Sequence, residues 1–342
     1  MSRSAPWIGL VAVVAALGPV QAFHSGGVGS CGGCHVTHAG AAPGGPALLN
    51  GSNPTDVCLR CHATANGNSW GADPALPGPQ YGGGAFAFLL EDNLNDGPGG
   101  AQPTNWIPGA KAGHSVISIE RGTPADIEHV TAPGGTYAAV SLHCTSCHDP
   151  HGKSGNYRLL RGAGPASVAG YAFTFTQAAP DASGIPLDGA PESDTHHNAY
   201  RSGVSTWCSN CHGGYHAEGS ASFVHPVDRP LGATEIDTYN RYRGTGYLDG
   251  TGADAYVAPV PLAFPGNSTG FAGPVPVDAR ITCLTCHRAH ASSAPGSLRW
   301  DNRIATWAEE GLASGSYRIP NPYESTAGPG QGRLCEKCHG AP

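Results

Sequence analysis

Twelve cysteines and six histidines of this chain share one spacing. Cys144-Thr-Ser-Cys147-His148 shows its form: two thiols three positions apart, followed at once by an imidazole. C-x-x-C-H is the attachment signature of c-type haem. The thiols can form thioether bonds to the haem vinyl groups, and the histidine then lies under the ring as the proximal iron ligand. The pattern recurs at Cys31-Cys34-His35, Cys58-Cys61-His62, Cys208-Cys211-His212, Cys283-Cys286-His287 and Cys335-Cys338-His339. The six copies consume all 12 cysteines, which chance does not explain. Tetrahedral zinc would take such pairs two at a time and gives no reason for a histidine after every second cysteine. Disulfide pairing, the usual reading of cysteines in an exported chain, leaves the same spacing unexplained.

Six proximal ligands leave 11 of the 17 histidines. Methionine is not available as a sixth iron ligand, because the only Met is Met1. Each iron is therefore either bis-histidine or open, and the absence of Met ligation points to low potentials. His38, His151 and His290 each stand three residues after a proximal histidine, as in Cys147-His148-Asp-Pro-His151. His151 is one helical turn from His148, too close to reach the other face of the same haem, so its target is a neighbouring iron. His114, His225 and His24 complete the first set of distal candidates. His143, beside Cys144, and His216, four after His212, form a second set. His129, His196 and His197 read as solvated loop histidines.

The elements that must position these groups are short. Gly (51) and Pro (30) make up about a quarter of the 342 residues, a range typical of irregular chain. Only 13% of residues are charged, so this is not the highly charged kind of disorder. Flat apolar macrocycles resolve the conflict, with a loop-rich chain wrapped around a stacked haem core and dependent on it for folding. The expected fold is mostly irregular, with very little β-structure and short helices at the C-x-x-C-H sites. Residues 1–22, with Arg3, an apolar run from Trp7 to Leu17 and Val20-Gln21-Ala22, read as a signal peptide. That run is short for a membrane span. Residues 23–342 form a single haem domain, expected to be soluble and outside the cytoplasm. Its formal charge, −7 for the whole chain, becomes more negative with haem propionates and disfavours nucleic acid. His114 to Ile119 is β-compatible, and Tyr171, Phe173 and Phe175 alternate as in a strand. Ala233 to Tyr242 and Asn302 to Leu312 read as helices.

Longer blocks extend beyond the bare signature. FHSGG and CGGCHVTH, APGGTY with LHCTSCHDPHGK, WCSNCH, CLTCHRAHAS and RLCEKCH resemble, in order along the mature chain, the OmcS-like hexahaem cytochromes. That family forms extracellular conducting filaments. The resemblance implies six covalently bound haem c groups, all bis-histidine, in one continuous stack. It also implies head-to-tail protomers, with His38 ligating the fifth haem, held by Cys283, Cys286 and His287, of an adjacent copy. Such a heterologous contact does not close and so builds a filament. This chain looks shorter than the family, with the trimming between motifs. The implied function is long-range extracellular electron transfer to minerals, electrodes or other cells. A monomeric periplasmic electron carrier is the alternative. A multihaem reductase is disfavoured: it needs an open iron, and none of the six motifs ends in the Lys typical of pentahaem nitrite reductases.

Overall fold

The computed structural model describes residues 31–36, 48–63, 69–70, 83–90, 109–151, 155–183, 199–216, 225–241, 260–266, 274–292, 295–299 and 335–339. All six C-x-x-C-H motifs lie within them. The segment 1–22, His24, His38, His196, His197 and the helix expected over 302–312 lie outside the described residues.

The regular elements are short and the motifs sit on helical turns, as expected. The first motif opens with a 3-10 turn, Cys31–Gly33. The second ends helix α1 (Pro54–His62). This helix starts where it does because Asn53 accepts a 2.9 Å hydrogen bond from the Asp56 amide and Pro54 occupies the first turn. A single turn, α2 (Gly109–Ala112), precedes α3 (Cys144–Cys147), which carries the third motif. The fourth ends α4 (Val204–His212). Helix α5 (Ala233–Arg241) lies where the sequence placed a helix. The last two motifs form α6 (Cys283–Cys286) and α7 (Glu336–His339).

Strand structure among the described residues is confined to two two-stranded antiparallel sheets. β1 (Gly164–Val168) pairs with β2 (Tyr171–Phe175) through a two-residue turn at Ala169 and Gly170, both with positive φ. That turn matches the twist of a tight hairpin. Tyr171, Phe173 and Phe175 share one face, as their alternation suggested, while Ala172 and Thr174 are exposed on the other. The aromatic face runs on to Tyr137, 4.9 Å from Phe173, and to Trp207, 6.3 Å from Phe175. The hairpin thus braces the residue just before Cys208. β3 (Asp181–Ser183) and β4 (Ala199–Ser202) form the second sheet.

His114 to Ile119 is not a strand. It is extended chain tied at its ends by isolated bridges, Gly113 with Ala291 and Ser118 with Thr123. Thr123 turns the chain back within five residues, so no partner strand runs alongside.

Two apolar clusters accompany the motifs. One gathers Leu59 of α1, Trp70, the turn Phe86–Leu89, Val116 and Ala291. The other gathers Ile236 and Tyr239 of α5 with Val260, Leu262, Phe264 and Val275, and packs against Cys286 and Cys338. Each cluster therefore backs haem motifs rather than standing apart from them.

Candidate functional site

One helical turn puts residues i and i+3 on the same face, so both thiols of each motif present together. None of the 12 cysteines is in a disulfide. Beyond the turn, the path of the chain differs between motifs. His62 and His212 are the last residues of α1 and α4. His148 and His287 have already left the helix, with φ/ψ of −107°/140° and −109°/156°. They are extended because each bridges a returning segment, His148 to Leu160 and His287 to Leu298. This corrects the sequence reading of His151 as one helical turn beyond His148: the helix stops at Cys147, and the spacing of three runs from an extended His148 into a turn at Pro150 and His151.

The proximal rings are oriented by main-chain carbonyls. His35 Nδ1 donates to Leu48 O at 3.0 Å, His148 Nδ1 to Arg158 O at 2.8 Å, His212 Nδ1 to Pro133 O at 2.8 Å and His287 Nδ1 to Gly296 O at 2.8 Å. A carbonyl can only accept, so Nδ1 carries the proton and Nε2 keeps its lone pair for a metal. The Pro133 carbonyl reaches His212 because Gly135 lies directly on the Cys211 carbonyl, where any side chain would overlap it. These carbonyl partners escaped the sequence reading. The block Ala132 to Tyr137 was visible, but its role depends on a contact 79 residues away.

The distal candidates come to meet these rings. First-row metal–imidazole bonds of about 2 Å put two rings on opposite faces of one metal roughly 6 Å apart between centroids. His35 and His151 are 6.3 Å apart with planes 14° from parallel. His114 and His212 are 5.8 Å apart, and His225 and His339 are 6.1 Å apart. His290 stacks on Phe86 at 4.4 Å. Burial, with nearby His148 and then His114, pushes its pKa down to about 3. His114 is pushed down to about 4 by burial and by His212, and its Nδ1 donates to Ala289 O at 2.8 Å. Neutral imidazole is the form that binds iron.

Other histidines have other surroundings. His143 is buried, its Nδ1 3.2 Å from Thr55 Oγ1, and it caps the start of α3. His216 Nε2 stands 3.9 Å from Asp228 Oδ2. His129 is exposed and lies 3.3 Å from Asp126 Oδ2, as a solvated loop histidine would.

Neighbouring motifs succeed one another in chain order. The Cys34 thiol is pushed up by burial and then by Cys58 and Cys61 of the second motif. The Cys144 amide of the third donates to Thr55 Oγ1 of α1 at 3.4 Å. Cys147 is pushed up to about 12 by burial and by Cys211 of the fourth. The Cys283 amide of the fifth donates to Ser205 Oγ of α4 at 3.0 Å. Cys286 is pushed up to about 11 by burial and by Cys335 of the sixth. The six attachment points thus form one unbranched series through the molecule.

Paired thiols beside an oriented imidazole, with a second imidazole at the spacing of a shared metal, fit c-type haem. Residues 24–67 match the family model of the doubled CXXCH motif. The C-type cytochrome OmcS of Geobacter sulfurreducens is 30% identical to this chain, over 93% of the chain and 94% of the relative. The chain belongs to the OmcS family of c-type cytochromes. Like the family, it binds haem c covalently. Two solved OmcS assemblies from the same organism have its fold. The outer membrane cytochrome S filament matches with a TM-score of 0.73 and 28% identity, over 93% of this chain and 99% of that one. The OmcS nanowires seen by cryo-EM match with a TM-score of 0.70 and 29% identity over the same shares. The OmcS alignment runs to 421 positions, more than the 342 residues here, so the relative carries segments this chain lacks.

Proposed function

We propose that this chain is the protomer of a head-to-tail filament that conducts electrons outside the cell through six covalently bound, bis-histidine haems. The observation that carries this reading is the unbroken series of links between successive motif segments: Arg60 to Asn50, the Cys144 amide to Thr55, Trp207 to the Arg161 carbonyl, the Cys283 amide to Ser205, and Cys286 and Cys338 against one apolar cluster. Haem iron supplies the chemistry, taking up and giving back one electron between its ferric and ferrous states. The protein's part is to hold six such groups close, in order, and with their ligands fixed.

The distal ligands are assigned by proximity. His151 serves the iron of His35, His290 that of His148, His114 that of His212, and His225 that of His339. Of the six first-choice distal histidines, His24 and His38 remain for the irons of His62 and His287. We assign His24 to the second haem and His38 to the fifth haem of the adjacent protomer. The engagement of His143 with Thr55 favours this assignment. Two histidines on every iron leave no position for substrate, so the chain is an electron carrier and not a reductase. Residues 1–22 are its export signal, residues 23–342 its one haem domain, and its acceptors are minerals, electrodes or other cells.

Changing His38 to Ala tests the reading. The variant should fold with six haems but remain monomeric by size-exclusion chromatography and electron microscopy. Normal filaments from it would refute the bridging role, and a wild-type holoprotein that stays monomeric when concentrated would favour the periplasmic carrier.

A further inference from the structure

One backbone device occurs three times among the described residues. After the first, third and fifth motifs the chain loops out and returns to lie against its own C-x-x-C-H turn. The amides of Val36, Asp149 and Arg288 donate to the carbonyls of Leu48, Leu159 and Ser297, at 3.1, 2.8 and 2.7 Å. Leu48, Leu159 and Ser297 all have positive φ, 72°, 56° and 58°, which is unusual for residues other than glycine. Two residues later the amides of Asn50, Arg161 and Arg299 donate to the carbonyls of Cys34, Cys147 and Cys286, at 2.8, 2.9 and 2.8 Å. The two amide hydrogen bonds of each segment therefore correspond one to one.

Their last residue is where they differ. Arg161 and Arg299 each send Nε back across the turn, to Thr145 O at 2.8 Å and Leu284 O at 2.6 Å. Both acceptors come directly after the first cysteine of their motif. This pins each guanidinium against the loop between the two thioether positions. In the first segment Asn50 holds the same backbone place without a charge. Its Oδ1 accepts from Arg60, and that arginine also pairs with Glu120 at 3.3 Å. Arg299 is 4% exposed, so water screens its charge poorly. Arginine stays protonated at any ordinary pH.

A ferrous haem carries one more negative charge than a ferric one, so a fixed neighbouring cation favours reduction. We propose that Arg161 and Arg299 are potential-setting residues, whose pinned guanidinium groups raise the reduction potentials of the haems at the third and fifth motifs above that of the first. This rests on those motifs holding haem.

Redox titration of the holoprotein, monitored by haem absorbance, tests this. In Arg161→Gln and Arg299→Gln, about one-sixth of the titrating amplitude should move to lower potential. Arg161→Lys and Arg299→Lys keep the charge and should track the wild-type curve. Haem content and low-spin EPR signals, measured on every variant, separate a shifted potential from a lost haem. An unchanged titration in Gln variants that keep six low-spin haems overturns the proposal while leaving the haem assignment intact. So does a Lys variant that shifts as far as its Gln counterpart. If a variant loses its haem, haem-resolved NMR titration of the wild type decides instead: a first haem at or above the third and fifth overturns the proposal. Mass spectrometry finding free thiols at Cys144 and Cys147, or at Cys283 and Cys286, in the wild type would sink the underlying haem reading as well.

Discussion

His35 and His151 face each other across 6.3 Å although 116 positions separate them, and His151 comes after His148, the proximal ligand of a different motif. In the proposed ligand assignment, the C-H-x-x-H spacing lets one short segment serve two metals. His151→Ala should therefore convert one haem from low-spin to high-spin, and that haem should be the one on Cys31 and Cys34. Double variants identify it. His35→Ala with His151→Ala should disturb one iron in total, because both residues serve the same site. His148→Ala with His151→Ala should disturb two. Resonance Raman spin-state markers on the holoproteins count them. If the first pair disturbs two irons, the cross-motif assignment is wrong. This is the non-additivity expected of residues sharing one site.

At the scale of elements, the one-turn helices carrying the third and fifth motifs are too short to be stable alone. Their ends are held by side chains. Ser146 Oγ accepts from the His143 amide at 2.9 Å and from the Tyr137 hydroxyl at 2.7 Å. Thr285 Oγ1 accepts from the Thr282 amide at 2.9 Å and donates to Pro261 O at 2.6 Å. Each turn is also tied to an earlier helix: Thr55 Oγ1 accepts from the Cys144 amide and Ser205 Oγ from the Cys283 amide. Ser146→Ala and Thr285→Ala should each cost about 1–3 kcal/mol, because each leaves buried polar groups unsatisfied. Guanidinium unfolding of the holoprotein, monitored by circular dichroism, measures the loss. Midpoints equal to wild type would mean that haem, rather than the caps, holds these turns. Gly135→Ala should be worse for the fourth site, since the new methyl would collide with the Cys211 carbonyl.

For the whole molecule, the two apolar clusters among the described residues hold seven and ten buried residues. Both pack against haem motifs. A chain made without haem attachment should therefore remain largely unfolded, with a featureless far-ultraviolet spectrum and no cooperative thermal transition. A sharp melt from haem-free protein would show that the polypeptide core suffices. The aromatic face from Tyr171 to Trp207 and the hydrogen bonds from the Cys144 amide to Thr55 and from the Cys283 amide to Ser205 make the same point: the tertiary contacts converge where haem is attached.

The sequence by itself determined the attachment points, because thioether formation needs two thiols and a histidine within five consecutive residues. It determined that methionine can ligate at most one iron, because the chain has a single Met. It also showed the helical turns at the motifs, the α5 helix and the β2 strand, each a matter of local periodicity. Which histidine faces His35, His212 and His339 was visible only in the tertiary structure. His114 is anchored by Ala289, 175 residues away, and lies 5.8 Å from His212. No local rule reaches that far, since spacing along the chain says nothing about where a glycine-rich loop returns. The carbonyls that orient the imidazoles were hidden for the same reason, and also because every residue has a carbonyl. LHCTSCHDPHGK could be read as a haem site with a second ligand to spare. Which haem that ligand serves depends on the path of the chain between His35 and His151, and the folded protein alone fixes that path.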